Sequence, residues 1–379
     1  MTYLGPNPPV GPQVGEDDSR EKQVRASMGA DSGGDPQRAE NAIELKEIEG
    51  LSQGRIVLRR FLRHKGAMIS LAILILTVIL AFTSIGLNVG PVVTSGWWKW
   101  TYSAIAPIQN GSEPTLSVLP TWLGGHGITI GDHPFGQDEV GHDIFARVMR
   151  GMQQSLMILF VVGLVSTVVG SVIGAVAGYF RGGLDTLLMR FTDIIIIIPL
   201  VVMAAIVAHI FSNGGSVILA ILLGLLVWTS LARLVRGEVL ALREREFVDA
   251  AKVAGASSSR IIFRHILPNS VGVIIVSATL TMAAAILLET SLSYLGLGVQ
   301  APDVSLGSLI SEYETSFTTR PWLFWWPGVF IIIIAITINF IGDGLRDAFD
   351  PRQKRALNKK AKEDRSAARE MPTLTTDGA

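Results

Sequence analysis

The sequence has no cysteine and few charged residues. The absence of Cys from all 379 residues excludes a disulfide framework and any metal site built on thiolates. Only 17% of the residues are charged, and the 32 basic residues balance the 32 acidic ones. This balance by itself says nothing about nucleic acid, because the basic residues are distributed by membrane side, and we expect no nucleic-acid partner. Hydrophobic residues make up 49% of the chain and gather into long runs without charge. That distribution is typical of an integral membrane protein.

The sequence also lacks the short motifs that would give the chain an energy source or a hydrolytic site. It contains no phosphate-binding loop of the G-x-x-x-x-G-K-[ST] type, no H-E-x-x-H zinc spacing and no G-x-S-x-G turn. We therefore predict that the chain is not an enzyme and holds no catalytic residue, metal or cofactor of its own.

Six apolar segments are each long enough to cross a membrane, since a helix of about 20 residues spans a hydrocarbon core of about 30 Å. The predicted spans are residues 67–88, 155–179, 187–210, 216–235, 270–290 and 324–341. The fold class predicted is all-α integral membrane protein with six transmembrane helices. Residues 1–54 are polar and are expected to be a disordered cytoplasmic tail, and residues 353–379 a charged cytoplasmic tail.

The distribution of Lys and Arg predicts the orientation of the spans. Basic residues gather before the first span, between the second and third, between the fourth and fifth, and after the sixth, whereas the alternate segments hold few. Because basic loops stay in the cytoplasm, both termini are predicted to be cytoplasmic.

Three local features of the spans also carry predictions. Span two has Gly170, Gly174 and Gly178 at four-residue spacing, which favours close packing inside the subunit, with a subunit interface as the alternative. Pro199 is expected to kink span three. Arg190 and Asp193 lie three residues apart and can pair.

The charged stretch FVDAAKVAGASSSRIIFRHILPN, residues 247–269, has a helical pattern although it cannot span a membrane. One face of its first helix holds small residues and one aromatic: Phe247, Ala250, Ala251 and Ala254. Gly255 can end this helix in a left-handed conformation, Ser257 can cap a second short helix through Arg264, and Pro268 ends that helix. The small face predicts docking to a cytoplasmic protein. A linker lying flat on the membrane is the alternative, although interfacial helices favour larger side chains.

The same stretch resembles the EAA loop of permease subunits of bacterial ABC importers. The family pattern is Glu-Ala-Ala, three residues, Gly, nine residues, Ile, one residue, Leu-Pro. Asp249 stands here for the Glu, and His265 stands at the Ile position. The resemblance implies a coupling helix that binds an ATPase subunit through these residues: Phe247, Asp249, Ala250, Ala251, Ala254, Gly255, Leu267 and Pro268.

Three further stretches resemble the dipeptide, oligopeptide and nickel branch of these permeases, in particular its C-type subunit. They are HPFGQDEVGHDIFARVMRG (133–151), ETSLSYLGLGVQAPDVSLGSLI (289–310) and NFIGDGLRDAFDPR (339–352). Gln137 replaces the usual Thr, and His142 replaces the usual Arg. The resemblance covers residues 55–352, the expected transmembrane domain, and leaves out the N-terminal tail and residues 88–131.

The resemblance implies a permease that imports dipeptides or oligopeptides across a bacterial plasma membrane, with nickel chelates or other small solutes as the alternative cargo. The implied partners are a second homologous permease, two cytoplasmic ABC ATPase subunits that use ATP and Mg, an extracytoplasmic peptide-binding protein and membrane lipid. A secondary transporter would need a titratable residue at mid-membrane, and a membrane enzyme would need paired catalytic residues; neither is visible in the sequence.

Overall fold

The computed structural model describes residues 53–86, 88–89, 92–117, 127 and 129–349. Both predicted tails lie outside the described residues, apart from Gln53 and Gly54, which open the first helix. The chain divides into two compact units, Met1–Val57 and Leu58–Ala379. Only residues 53–57 of the first unit are described, and the second unit holds the helical bundle.

Most of the described chain is helical. In chain order the helices are α1 (Gln53–Arg63), α2 (Lys65–Ser84), α3 (Ile144–Phe180), α4 (Gly182–Ile197), α5 (Leu200–Ile210), α6 (Gly215–Val227), α7 (Thr229–Arg243), α8 (Glu246–Val253), α9 (Ser258–Arg260), α10 (Val271–Tyr294), α11 (Leu306–Tyr313) and α12 (Pro321–Phe349). Two short strands, β1 (Asn88–Val89) and β2 (Val92–Val93), form an antiparallel hairpin after α2.

Four helices, α2, α3, α10 and α12, are long and apolar enough to cross a membrane individually. The pairs α4–α5 and α6–α7 qualify only when each pair is taken together, because they are bent by 87° and 46°. The described residues therefore hold four to six candidate spans. This confirms the mostly helical membrane fold, while the count of six spans stays a prediction.

The predicted kink at Pro199 is a complete break in the helix. α4 ends at Ile197, and both Ile198 (ψ 127°) and Pro199 (ψ 121°) leave the helical region before α5 begins. Proline has no N–H to donate, and its ring disfavours helical geometry in the preceding residue. The two halves therefore diverge instead of continuing along one bent axis.

The three glycines of α3 pack against α7, as predicted for a contact inside the subunit. A Cβ atom at Gly174 would lie 2.4 Å from the carbonyl oxygen of Ala232, and one at Gly178 would lie 2.9 Å from that of Arg236. A Cβ atom at Gly170 would meet Leu231 at 2.7 Å. The backbones of the two helices approach so closely because no side chain separates them.

The predicted pair between Arg190 and Asp193 is wrong. Asp193 instead receives a hydrogen bond of 2.5 Å from Arg233, which lies on α7. Asp185, about two helical turns nearer the start of α4, is bound through two hydrogen bonds of 2.6 and 2.7 Å by Arg236. Both carboxylates of α4 thus face arginines of α7, so tertiary packing overrides the pairing that the spacing along one helix allows.

Two apolar cores lie along α3. The larger core joins the N-terminal part of α3 to α10, α11 and α12, and includes Met149, Met152 and Ile286. The smaller core joins Ala175 near the end of α3 to α7 and to the segment before α10. Because α3 has 37 residues, its ends are about 55 Å apart. This single helix therefore connects two distant regions of the molecule.

Candidate functional site

The EAA-like stretch, residues 247–269, forms a bent helical segment that we call the elbow. Its first helix, α8, ends where the sequence predicts, since Gly255 takes a φ of +77°. The N–H of Gly255 donates to the carbonyl of Lys252 at 2.9 Å, and the N–H of Ala256 donates to that of Ala251 at 3.0 Å. These two bonds form a Schellman motif, which satisfies carbonyl groups at the end of the helix.

The inner face of α8 differs from the face singled out in the sequence. Val248 is fully buried in the smaller core, and Ala251 packs partly against the same core. Phe247, Ala250 and Ala254 are exposed. The predicted face therefore divides, with Ala251 turned partly inward and the other three residues at the surface.

The exposed side of α8 also includes an aliphatic residue that the sequence reasoning missed. Val253 is 90% exposed, three residues after Ala250 and six after Phe247. Asp249 and Lys252 form a local ion pair of 2.9 Å beside this surface. An apolar surface of small residues with Val253 and Phe247 can fit closely against a partner protein, because little bulk stands in the way.

The second half of the elbow is not the short α-helix that the sequence predicts. Ser257 caps it, accepting a hydrogen bond from the N–H of Arg260 at 3.4 Å. After the single turn α9, however, residues Ile261–Ile266 form a π-helix, and Leu267–Asn269 form a 3-10 turn that leads into α10. Pro268 thus lies within a nearly continuous helical segment instead of closing one helix.

The π-helix explains how the elbow packs although His265 stands at the family's Ile position. A π turn holds one residue more than an α turn, which shifts the following side chains around the axis. Ile261, Ile262 and Ile266 are all buried and meet Val248 in the smaller core. Leu267 packs partly against that core, while Pro268 is exposed.

The elbow is attached to the bundle by apolar contacts. Its buried residues meet Ala175 of α3 and Val235 and Val239 of α7. Within the described residues, each side-chain hydrogen bond of the elbow joins positions no more than four apart. The segment is therefore held by its inner face alone, and its outer face has no structural task within the described chain.

The opposite end of α3 carries a dense group of polar side chains, most of them buried, which we call the polar cluster. Its members are His133, Asp138, Asp143, Arg147, Arg150, Asp303, Glu312 and Tyr313. The first five belong to the stretch 133–151 that resembles peptide permeases, and the last three to the segment between α10 and α12.

Asp143 joins the start of α3 to the segment before it. It caps α3 by accepting a hydrogen bond from the N–H of Ala146 at 2.9 Å, and it also binds His133 and Trp98, each at 2.8 Å. Burial raises the pKa of the Asp143 carboxyl, against the opposing effect of these hydrogen bonds. The start of α3 is thereby fixed, through Trp98, to the segment that follows α2.

Arg147 links α3 to α11. It binds both carboxylate oxygens of Glu312 at 2.8 Å, the hydroxyl of Tyr313 at 2.5 Å and Asp138 at 3.2 Å. Burial alone would raise the pKa of Asp138, but hydrogen bonds from the N–H and side chain of His142, together with the charge of Arg147, hold it below its ordinary value. Burial also raises the pKa of the Tyr313 hydroxyl. Asp138 is thus held as a carboxylate beside a neutral phenol.

Arg150, one turn further along α3, fixes the loop before α11. It forms two hydrogen bonds with Asp303, at 2.7 and 2.8 Å, and Gln154 donates a third at 2.5 Å. Gln153 donates to the carbonyls of Ala81 and Gly86, which ties α3 to the end of α2. The polar cluster therefore joins α2, α3 and the segment before α12 through buried hydrogen bonds.

A carboxyl group within α10 lies next to this cluster. Glu289 is 1% exposed, and its oxygens accept hydrogen bonds from Ser293 at 2.7 Å and Ser155 at 3.2 Å. Ser155 in turn accepts the N–H of Leu306 at 3.3 Å. Glu289 therefore helps to hold α3, α10 and the start of α11 together at the same end of the bundle.

A cavity of about 510 Å³ opens below the polar cluster, between α2, α3, α10 and α12. Its walls are mainly apolar and include Leu74, Met157, Met282 and Ile338. Arg150 lines it as well, but its guanidinium group is engaged by Asp303. The cavity therefore suits apolar groups better than charged ones.

Comparison with known proteins gives two family matches. Residues 170–355 match the model of the binding-protein-dependent transport system inner membrane component, and residues 52–107 match the N-terminal transmembrane domain of oligopeptide transport permease C. The second match reaches residue 107, so the expectation that residues 88–131 lie outside the family pattern is wrong for the first part of that range.

Curated relatives match over most of their length. The oligopeptide transport system permease protein OppC of Mycobacterium tuberculosis is 37% identical over 307 residues, which cover 81% of this chain and 97% of that protein. The protein of the same name from Haemophilus influenzae is 36% identical, covering 82% and 93%, and that from Bacillus subtilis is 34% identical, covering 84% and 96%.

A solved structure of the MetNI methionine ABC transporter in an inward-facing conformation also matches. It is 20% identical, with a TM-score of 0.40, and the match covers 54% of this chain and 96% of that one. A TM-score this low supports no argument about this chain.

Proposed function

This chain belongs to the family of binding-protein-dependent transport system inner membrane components, and we propose that it is the C-type permease subunit of an ABC importer for peptides. The observation that carries the proposal is the identity of 34–37% with oligopeptide permeases over 93–97% of their length. The chain is accordingly a multi-pass protein of the inner membrane. It would form one half of the translocation pathway, and a second homologous permease would form the other half.

The elbow is the surface that we assign to the ATPase subunits. Its exposed residues Phe247, Ala250, Val253 and Ala254 form an apolar surface of small volume, and nothing else in the described chain uses it. The Schellman motif at Gly255 fixes the angle between α8 and the segment that leads into α10. Movement of a bound ATPase would therefore be passed to α10 directly, and through the smaller core to α3 and α7.

The remaining parts of the assembly follow from this assignment. The elbow would lie in the cytoplasm with both termini, as the distribution of basic residues predicts. ATP and Mg would bind to two cytoplasmic ATPase subunits, and this chain would hydrolyse nothing. The polar cluster, about 40 Å from Ala175 along α3, would then lie at the outer face, where a peptide-binding protein delivers cargo.

Peptide uptake by a strain that lacks this chain tests the proposal. Restoring the chain should restore uptake of di- or oligopeptides, whereas restoring Ala250→Arg should not, because the long charged side chain would prevent close packing with the ATPase. Lys252→Arg, which keeps the charge beside that surface, is the matched control and should support normal uptake. Restored uptake of nickel chelates without peptides would contradict the assigned cargo.

A further inference from the structure

α1 carries exposed leucines beside exposed arginines, directly before the first candidate span. Leu58 and Leu62 are 56% and 53% exposed and lie one helical turn apart. Arg59 and Arg63 have the same spacing, and both are exposed. Since successive helical residues are rotated by about 100°, the two pairs form adjacent stripes. Phe61 flanks the leucines on the side opposite the arginines, and it is buried.

The leucine stripe directly precedes a helix that also exposes aliphatic side chains, α2. Only His64 separates the two helices, and it caps α2 by accepting a hydrogen bond from the N–H of Ala67 at 3.0 Å. Beyond it, Ile69 and Leu76 of α2 are 62% and 67% exposed. Exposed aliphatic side chains on a candidate span face lipid, so the leucines of α1 lie where the hydrocarbon core gives way to headgroups.

We propose that α1 lies in the headgroup layer and binds anionic phospholipid. Leu58 and Leu62 would enter the acyl region, and the guanidinium groups of Arg59 and Arg63 would contact lipid phosphates. A planar guanidinium binds phosphate through two parallel hydrogen bonds. Both arginines also interact within the chain, but a guanidinium has five N–H donors, so an internal partner leaves donors for a phosphate.

The charge of the helix favours lipid over a second protein as the occupant. Lys65 follows Arg59, Arg60 and Arg63 within a few residues, and basic residues next to a span are attracted to anionic headgroups. The leucine stripe also lies within a few residues of the start of α2, a candidate span with exposed aliphatic side chains, so it lies close to the lipid that surrounds that span. α1 would thereby hold the cytoplasmic end of the first span at a fixed depth in the membrane.

The absence of cysteine makes a site-specific test possible. The full chain with Leu62→Cys, labelled with bimane, is placed in nanodiscs of phosphatidylcholine and phosphatidylglycerol, with bromine on the acyl chains of one lipid at a time and at equal mole fraction. Brominated phosphatidylglycerol should quench the label more strongly than brominated phosphatidylcholine, because the arginines enrich the anionic lipid around α1.

Matched variants assign the preference to the arginines. Each basic residue near an anionic surface contributes about a fivefold preference, so Arg59→Gln with Arg63→Gln should lower the preference for the anionic lipid by up to about 25-fold and leave only the part that Arg60 and Lys65 contribute. Arg59→Lys with Arg63→Lys should retain most of the preference, and Arg190→Gln with Arg264→Gln, an equal loss of charge at other exposed positions, should leave it unchanged. Equal quenching by the two lipids with the native arginines would overturn the proposal. No quenching by either lipid would also overturn it, because protein would then cover the helix.

Discussion

At its Ile144 end, α3 contributes two buried arginines, Arg147 and Arg150, to ion pairs, whereas at its Phe180 end it meets an elbow attached by apolar side chains. The polar cluster uses most of its hydrogen-bonding groups internally, although the buried Nε2 of His133 and Nε of Arg147 have no hydrogen-bond partner among the described residues. The elbow buries Val248 and three isoleucines but leaves Phe247, Val253 and two alanines at the surface. One end of α3 thus lies in a network of polar contacts within the chain, whereas the other end packs against an elbow that exposes an apolar surface.

This difference indicates how the chain divides rigidity and recognition. A buried ion pair adds little net stability compared with an apolar contact, but removal of one partner is costly, so such pairs hold elements in one arrangement. The polar cluster can keep α3, α11 and the loop before α11 in register. The elbow can move as a unit with α10, because apolar contacts are less directional than hydrogen bonds. The comparison makes predictions that can be tested separately at each end.

The largest effect is expected in the polar cluster. Arg147→Met leaves Asp138 without its cationic partner and should lower the free energy of unfolding by about 3–5 kcal/mol. The control is Arg233→Met, which breaks the ion pair with Asp193, both partners of which are well exposed. That change should cost no more than about 1 kcal/mol. Thermal unfolding in detergent measures both changes. Equal losses of unfolding free energy would mean that the pair in the polar cluster stabilises the fold no more than the exposed pair does.

A smaller effect is expected midway, where α3 meets α7. Gly174→Ala places a Cβ atom against the carbonyl of Ala232 and should cost about 1–3 kcal/mol, because two backbones must separate. Gly237→Ala, on the open side of α7, meets nothing within 4 Å and should stabilise the helix by up to about 1 kcal/mol. Unfolding midpoints of the two variants should therefore move in opposite directions; a shift in the same direction would show that the glycine strip is not needed for close packing.

The smallest effect is a dependence on pH. A carboxyl whose pKa is lowered by folding, as for Asp138, stabilises the fold above its unfolded pKa, and this contribution is lost as the pH falls through the folded-state pKa. The chain should therefore lose stability below about pH 4. Asp138→Asn should reduce that part of the loss, measured as unfolding midpoints between pH 7 and pH 3. Identical profiles for the two proteins would exclude Asp138 as the cause.

Local sequence patterns predicted the elbow because its signals are local. The left-handed turn at Gly255, the cap at Ser257 and the helical period of α8 depend on neighbouring residues, and the structure has all three. The π-helix was not predictable from the apolar pattern, because Ile262 and Ile266 are four residues apart and would share one face of an ordinary α-helix as well. The burial of the Val248 side chain depends on the smaller core, to which α3 and α7 contribute.

The polar cluster could not be predicted from spacing at all. Arg147 and Glu312 are 165 positions apart, and Arg150 and Asp303 are 153 apart, so only the folded chain brings them together. The resemblance of residues 133–151 to peptide permeases marked the region without assigning a partner to any side chain. Likewise, the pairing of Asp193 with Arg233 reflects how α4 and α7 pack and not the sequence around either residue.

We propose that the outer face of the elbow serves a partner and contributes nothing to the stability of the chain itself. The decisive experiment is co-purification of the ATPase subunits with Ala250→Arg, measured beside the unfolding midpoint of the isolated chain. Arg is a good helix former at an exposed position, so the midpoint should change by the equivalent of only a few tenths of a kcal/mol. The ATPase subunits should be lost, while Lys252→Arg keeps them. Full assembly with Ala250→Arg, or a large fall in its unfolding midpoint, would contradict the account.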